Sequence, residues 1–189
     1  MAHRVQTPFG AVTFLPDAEA PAIELRVAEV DPALGDHLEP IAACWGAVWR
    51  ITASARTPEL RLSATLTALP DGVRGGADTG ERLAAVTYEN ADTRLSIGTH
   101  DEEAIRARCG TDLPASWADA FPEHEPWNSE FGVDCGRTTP GLTWRLPPLA
   151  AGESCVIHAA VAWGPARDDA ATWIAVDTDP TRLLGQTRR

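Results

Sequence analysis

The chain has 189 residues and a net charge of −11, with 44% apolar and 23% charged residues. That is a globular composition, which excludes disordered, collagen-like and coiled-coil chains. Sixteen basic residues, all arginine, are outweighed by 27 acidic ones and form no stripe. Nucleic acid and anionic membrane surfaces are therefore not expected partners.

With no lysine, Schiff-base chemistry is excluded. The arginine-only, alanine-rich usage reads as the coding bias of a GC-rich bacterial genome. No apolar run reaches the roughly 20 residues of a membrane span, and Met1–Pro8 lacks an apolar signal core. A cytoplasmic protein is expected, with 1–189 as one domain. Cys44, Cys109, Cys135 and Cys155 form no C-x-x-C pair and are expected as reduced thiols.

In chain order, Gly10–Leu15 is the first expected strand, followed by Ala22–Val30 with Ile23, Leu25 and Val27 against Glu24 and Arg26. Trp45–Ala55 puts Trp45, Ala47, Trp49, Ile51 and Ala53 on one face, and Leu60–Leu69 alternates most clearly. Arg82–Tyr88, Arg94–Gly98, Leu142–Leu146 and Ser154–Trp163 follow. Ser154–Trp163 is apolar on both faces apart from His158, which predicts a central strand. Turn residues separate these runs: Pro70-Asp71-Gly72, Gly75-Gly76, Glu89-Asn90-Ala91-Asp92 and Ala151-Gly152-Glu153. About eight short strands between such turns predict a mainly β fold, a single antiparallel sandwich or flattened barrel.

An insertion at 99–137 breaks the alternation. Thr99-His100-Asp101-Glu102 has the capping-box form and predicts a helix over 99–109, with Thr99 as N-cap and Gly110 as its stop. A second helix is expected over 114–121, with Trp117 and Phe121 on one face, and 122–139 reads as irregular. A short C-terminal helix is expected at 168–176 or 180–184.

The run Leu146-Pro147-Pro148-Leu149-Ala150-Ala151-Gly152-Glu153-Ser154, leading into a strand that ends Val161-Ala162-Trp163, resembles a strand–turn–strand unit of bacterial β-sandwich and immunoglobulin-like domains. It is also similar to pieces of the β-sandwich modules attached to some sugar-acting enzymes. The resemblance covers about a tenth of the chain and implies a sandwich without implying an activity.

Candidate chemistry is sparse. His100, Asp101, His124, Glu125 and His158 are the candidate acid–base groups, and the only possible parts of a metal site, these histidines with Asp101, Glu123 and Glu125, have no spacing that suits a metal. No G-x-S-x-G elbow, phosphate loop or dinucleotide motif occurs, so neither a metal nor a cofactor is expected.

Seven Trp against four Phe, one Tyr and one Met is the unusual feature. The strand tryptophans read as core. Trp117, Trp127 and Trp144, in or beside the insertion, read as the wall of a pocket for a small apolar or aromatic molecule. The expected function is therefore a small-molecule pocket, with a cofactor-independent cyclase or isomerase of specialised metabolism as its enzymatic form. Its alternative is a non-catalytic interaction, accessory or immunity module using an acidic surface or an open sheet edge.

Overall fold

In β5 (Leu60–Leu66), Leu60, Leu62, Ala64 and Leu66 are buried while Arg61 stays exposed and Ser63 and Thr65 lie between. Repeated along the chain, this period-two pattern makes one face of each sheet apolar and forces two sheets together. The computed structural model describes residues 2–17, 22–32, 34–121, 123, 130–137 and 139–181. It is 48% strand and 13% helix, with two packed antiparallel sheets that do not close into a barrel.

The remaining strands are β1 (His3–Thr7), β2 (Gly10–Asp17), β3 (Ile23–Glu29), β4 (Ala43–Thr52), β6 (Arg74–Ala77), β7 (Leu83–Glu89), β8 (Thr93–His100), β9 (Gly132–Cys135), β10 (Gly141–Leu146) and β11 (Ser154–Pro165). The five-stranded sheet runs β1-β2-β5-β10-β9 and the six-stranded sheet β3-β4-β11-β8-β7-β6. The main core lies between them. Val12, Phe14, Leu62 and Trp144 of one sheet meet Trp49, Ile51, Ile97 and Val161 of the other. The rings of Phe14 and Trp49 sit 6.1 Å apart.

As its two apolar faces require, β11 is central, between β4 and β8. Its second face, with Ala160 and Ala162, joins Cys44, Val48, Leu83 and Ala85 in a separate apolar cluster on the outside of the six-stranded sheet. Helix α2 (Ala171–Val176) covers that cluster with Ala175 and Val176. It falls within the first of the two stretches expected to be helical; most of the second, 180–184, lies outside the described residues. Gly98 permits the contact, since a Cβ there would come within 2.6 Å of Val176 Cγ2. Asp168 Oδ1 accepts from the N–H groups of Ala170 and Ala171 at 3.0 Å each and so opens the helix.

Three strands exceed the expected set. The short, mostly polar β1 pairs with β2 across the Pro8-Phe9 turn. Gly75 and Gly76 are not a turn but lie in β6, where a Cβ on Gly75 would strike the Tyr88 ring. The expected irregular stretch contains β9, which is held on β10 and by Glu102, whose carboxylate accepts from Val133 N–H at 2.8 Å.

The capping box does not form. The β7–β8 ladder extends to His100, so Thr99 is a strand residue. Asp101 caps α1 (Glu102–Arg108) instead, accepting from Ala104 N–H at 2.9 Å. Pro114 begins a short 3-10 helix, Ala115–Ala120, in place of the expected second α-helix. The unit that resembles an immunoglobulin-like strand–turn–strand links β10 and β11, which lie in different sheets.

Candidate functional site

The described part of the expected pocket wall is core. Trp117 is 1% exposed and its Nε1–H donates to Pro148 O at 3.1 Å. Trp144 is 2% exposed and donates to Thr99 Oγ1 at 3.0 Å. With Ile105, Leu113 and Phe121, Trp117 extends the core between the sheets, so the described part of the insertion plugs the sandwich. Trp127, His124 and Glu125 lie outside the described residues. The sequence puts Trp117 and Phe121 on one apolar face, and both are buried; what it leaves open is whether that face meets a core or a pocket.

The fold does bring together two of the five acid–base candidates. The outer face of the six-stranded sheet places His100 at the end of β8 beside His158 of β11, with ring centroids 4.3 Å apart in an edge-on contact. Arg108 Nη1 lies 3.3 Å from His100 Nδ1, Arg108 Nη2 donates to Val156 O at 2.8 Å, and Asp112 accepts from the same guanidinium at 2.7 Å. Asp179 Oδ1 stands 3.7 Å from His158 Nδ1.

Burial, then the neighbouring His100, holds the His158 imidazole far below its ordinary pKa, with Asp179 opposing and Arg108 adding a smaller lowering. His100 is lowered by burial and by Arg108, and Asp177 is raised by burial. Among the described residues His158 Nδ1 is buried without a hydrogen-bond partner. A neutral imidazole at 3% exposure can pack the sheet face. Asp101 is committed to capping α1.

Among the described residues no group of three His, Cys, Asp or Glu side chains converges as metal ligands. All four thiols are free of disulfides. Burial pushes Cys44 and Cys155 up to about 12 and Cys135 to about 11, the reverse of what a thiolate nucleophile needs. Two clefts open on the described surface. One of about 310 Å³ lies beside β6, between Arg74, Gly76, Thr87, Glu89 and Arg94. The other, of about 430 Å³, sits at the β3–β4 end, between Val30, Pro32, Ile41 and Cys44. Neither is lined by an aromatic side chain or by the histidine pair.

The feature that sequence reasoning did not single out is the outer edge of β3. Among the described residues it pairs only with β4, and at seven residues it is the longest of the four edge strands, against five in β1 and four each in β6 and β9. Thr52 N–H donates to Ala22 O, and Val30 N–H donates to Cys44 O. Even-numbered residues therefore turn their backbone groups toward β4. By the period of two, Ile23, Leu25 and Val27 aim theirs away from the sheet. Their side chains are half-buried against the main core. On the opposite face Arg26 Nε meets Glu24 Oε1 at 2.7 Å. Proteins usually blunt such an edge with proline, a bulge or charged side chains, lysine above all; β3 has no proline, bulge or lysine, its charged Glu24 and Arg26 meet each other, and its register with β4 is unbroken.

No known family model matches this chain, and neither does any curated protein or solved structure. No helix among the described residues is long and apolar enough to cross a membrane.

Proposed function

We propose that this chain is a non-catalytic interaction module that works by adding a strand of another polypeptide to the open edge of β3. The observation that carries the reading is the outward row of backbone groups on Ile23, Leu25 and Val27, backed by their half-buried side chains. An added strand would satisfy those groups and cover that apolar margin, which is how strand addition generates affinity. A cytoplasmic setting belongs to the proposal, as do four reduced thiols. The pocket reading, with its cyclase or isomerase chemistry, has weaker support: Trp117 and Trp144 are packed in the core.

The test uses a labelled peptide with the sequence of residues 22–29 and a Val27→Pro variant. The Val27 N–H points away from β4, so proline there leaves the β3–β4 ladder whole while its ring obstructs the free edge. Fluorescence anisotropy should show saturable peptide binding by the native chain. In Val27→Pro, binding should weaken at least about tenfold, the loss of one to two net hydrogen bonds. Circular dichroism should be unchanged. Equal binding by both proteins, or none by either at concentrations where the native chain is monomeric, would overturn the reading.

A further inference from the structure

We infer that the strand received by β3 is β3 of a second copy of the chain, antiparallel across a twofold axis at Leu25. The inference rests on the edge-pairing reading and adds the partner's identity. Only odd-numbered residues of β3 present outward backbone groups, so antiparallel pairing must set odd against odd.

Several registers meet that condition, and the match of apolar with apolar and acid with base favours one. With the axis at Leu25, Leu25 faces its own copy and Ile23 faces Val27. Glu24 then stands opposite Arg26 on both sides of the axis, in the closely spaced non-hydrogen-bonded positions. Centring the axis on Glu24 would oppose two carboxylates, and centring it on Arg26 would oppose two guanidiniums. Like charges directly across a strand pair are unfavourable. The segment Ile23-Glu24-Leu25-Arg26-Val27 thus reads as its own complement, apolar with apolar and acid with base.

The consequences for the fold follow from the sheet order. β3 is the terminal strand of the six-stranded sheet, so the two sheets would run on as one across the axis. The half-buried Ile23, Leu25 and Val27 of both copies would join along the core side, each margin covering the other. The interface would be isologous, with the same patch on both protomers, as in most soluble homodimers. The net charge of −11 on each chain opposes association. At physiological ionic strength, charges beyond about 8 Å are largely screened, so the paired Glu24 and Arg26 dominate locally.

Sedimentation equilibrium at physiological salt tests this on the whole chain. The native protein should weigh twice the 20.2 kDa of the chain. Arg26→Glu alone, or Glu24→Arg alone, should raise the dimer Kd at least about tenfold, because the twofold axis counts each substitution twice. Two further results should follow. The double variant carrying both changes should recover the dimer. An equimolar mixture of the two single variants should form a heterodimer, since the arginines of one would face the glutamates of the other. A monomeric native chain, single variants that dimerise normally, or a double variant that does not recover would each overturn the inference. If the native chain is monomeric yet binds the peptide of residues 22–29, the second copy is wrong and the interaction reading stands; if it is monomeric and binds no peptide, both fall.

Discussion

Replacing Trp144 with alanine is expected to cost about 3–5 kcal/mol of unfolding free energy, the range for deleting a large buried aromatic. Trp144 is 2% exposed and belongs to the main core together with Leu142 and Leu146 of its own strand and Leu62 of β5. Its Nε1–H is also the donor to Thr99 Oγ1, and Thr99 in turn donates to His158 O, so the indole ties β10 to both β8 and β11. Trp117→Ala should cost a similar amount and leaves Pro148 O without its donor. Urea unfolding followed by circular dichroism measures both. Losses below about 1 kcal/mol would mean that these indoles border a cavity, because a cavity wall has fewer partner atoms to lose. Against a usual total of about 5–15 kcal/mol the alanine variants can fail to fold, so Trp144→Phe, which keeps a ring in place, is the companion.

Mild acid should destabilise the protein before its carboxylates titrate. His158 is 3% exposed and is held neutral by burial first and then by His100, with Asp179 opposing and Arg108 adding a smaller lowering. His100 is lowered in the same direction, by burial and Arg108 against Asp179, Asp177 and Asp101. Below the free imidazole pKa of about 6.5, the unfolded chain binds protons that the folded chain does not. The stabilisation is therefore complete above about pH 6.5 and is lost as pH falls toward the lowered folded values. The slope from His158 approaches about 1.4 kcal/mol per pH unit, with a smaller share from the more exposed His100. Asp177, raised by burial, has the opposite sign: the folded chain takes up that proton first, between its raised value and the free carboxylate pKa of about 3.9, and so offsets part of the loss there. Unfolding free energies measured between pH 7.5 and 5 should fall steadily in the native chain and markedly less in His158→Gln. A flat profile over that range would show that the histidine pair is not desolvated as described.

The parts of the fold that are legible in the sequence are those where one side chain in two is buried. β5 shows this in Leu60, Leu62, Ala64 and Leu66, and β11 shows it on both faces, which marks it as central. What escapes is structure made by tertiary partners. β9 exists because β10 and the Glu102 carboxylate hold it; its alternation, Val133 and Cys135 against Asp134, spans too few residues to mark a strand by itself. Gly75-Gly76 has turn composition, yet it is drawn into β6 by the Tyr88 ring and the β7 ladder. Thr99 carries a sound capping pattern and loses it to the sheet, which keeps it as a strand residue and leaves Asp101 to cap.

The histidine pair is equally invisible along the chain, since only the β8–β11 pairing brings His100 and His158 together. The β3 edge is half legible. Its alternation is plain, and the self-complementary order of Ile23-Glu24-Leu25-Arg26-Val27 emerges when the strand is set against its own reverse. What no local pattern supplies is that β3 ends a sheet, because that depends on which strands the rest of the chain brings to β4.

Backbone hydrogen exchange at Leu25 and Val27 tests the central claim most directly. Both amides point away from β4 and toward the free edge. At concentrations where the edges pair, the account predicts exchange as slow as at Ala47 and Val48 inside β4, with protection lost in Arg26→Glu. Rapid exchange at Leu25 and Val27 in the native chain at every concentration, beside a fully protected β4, would contradict it.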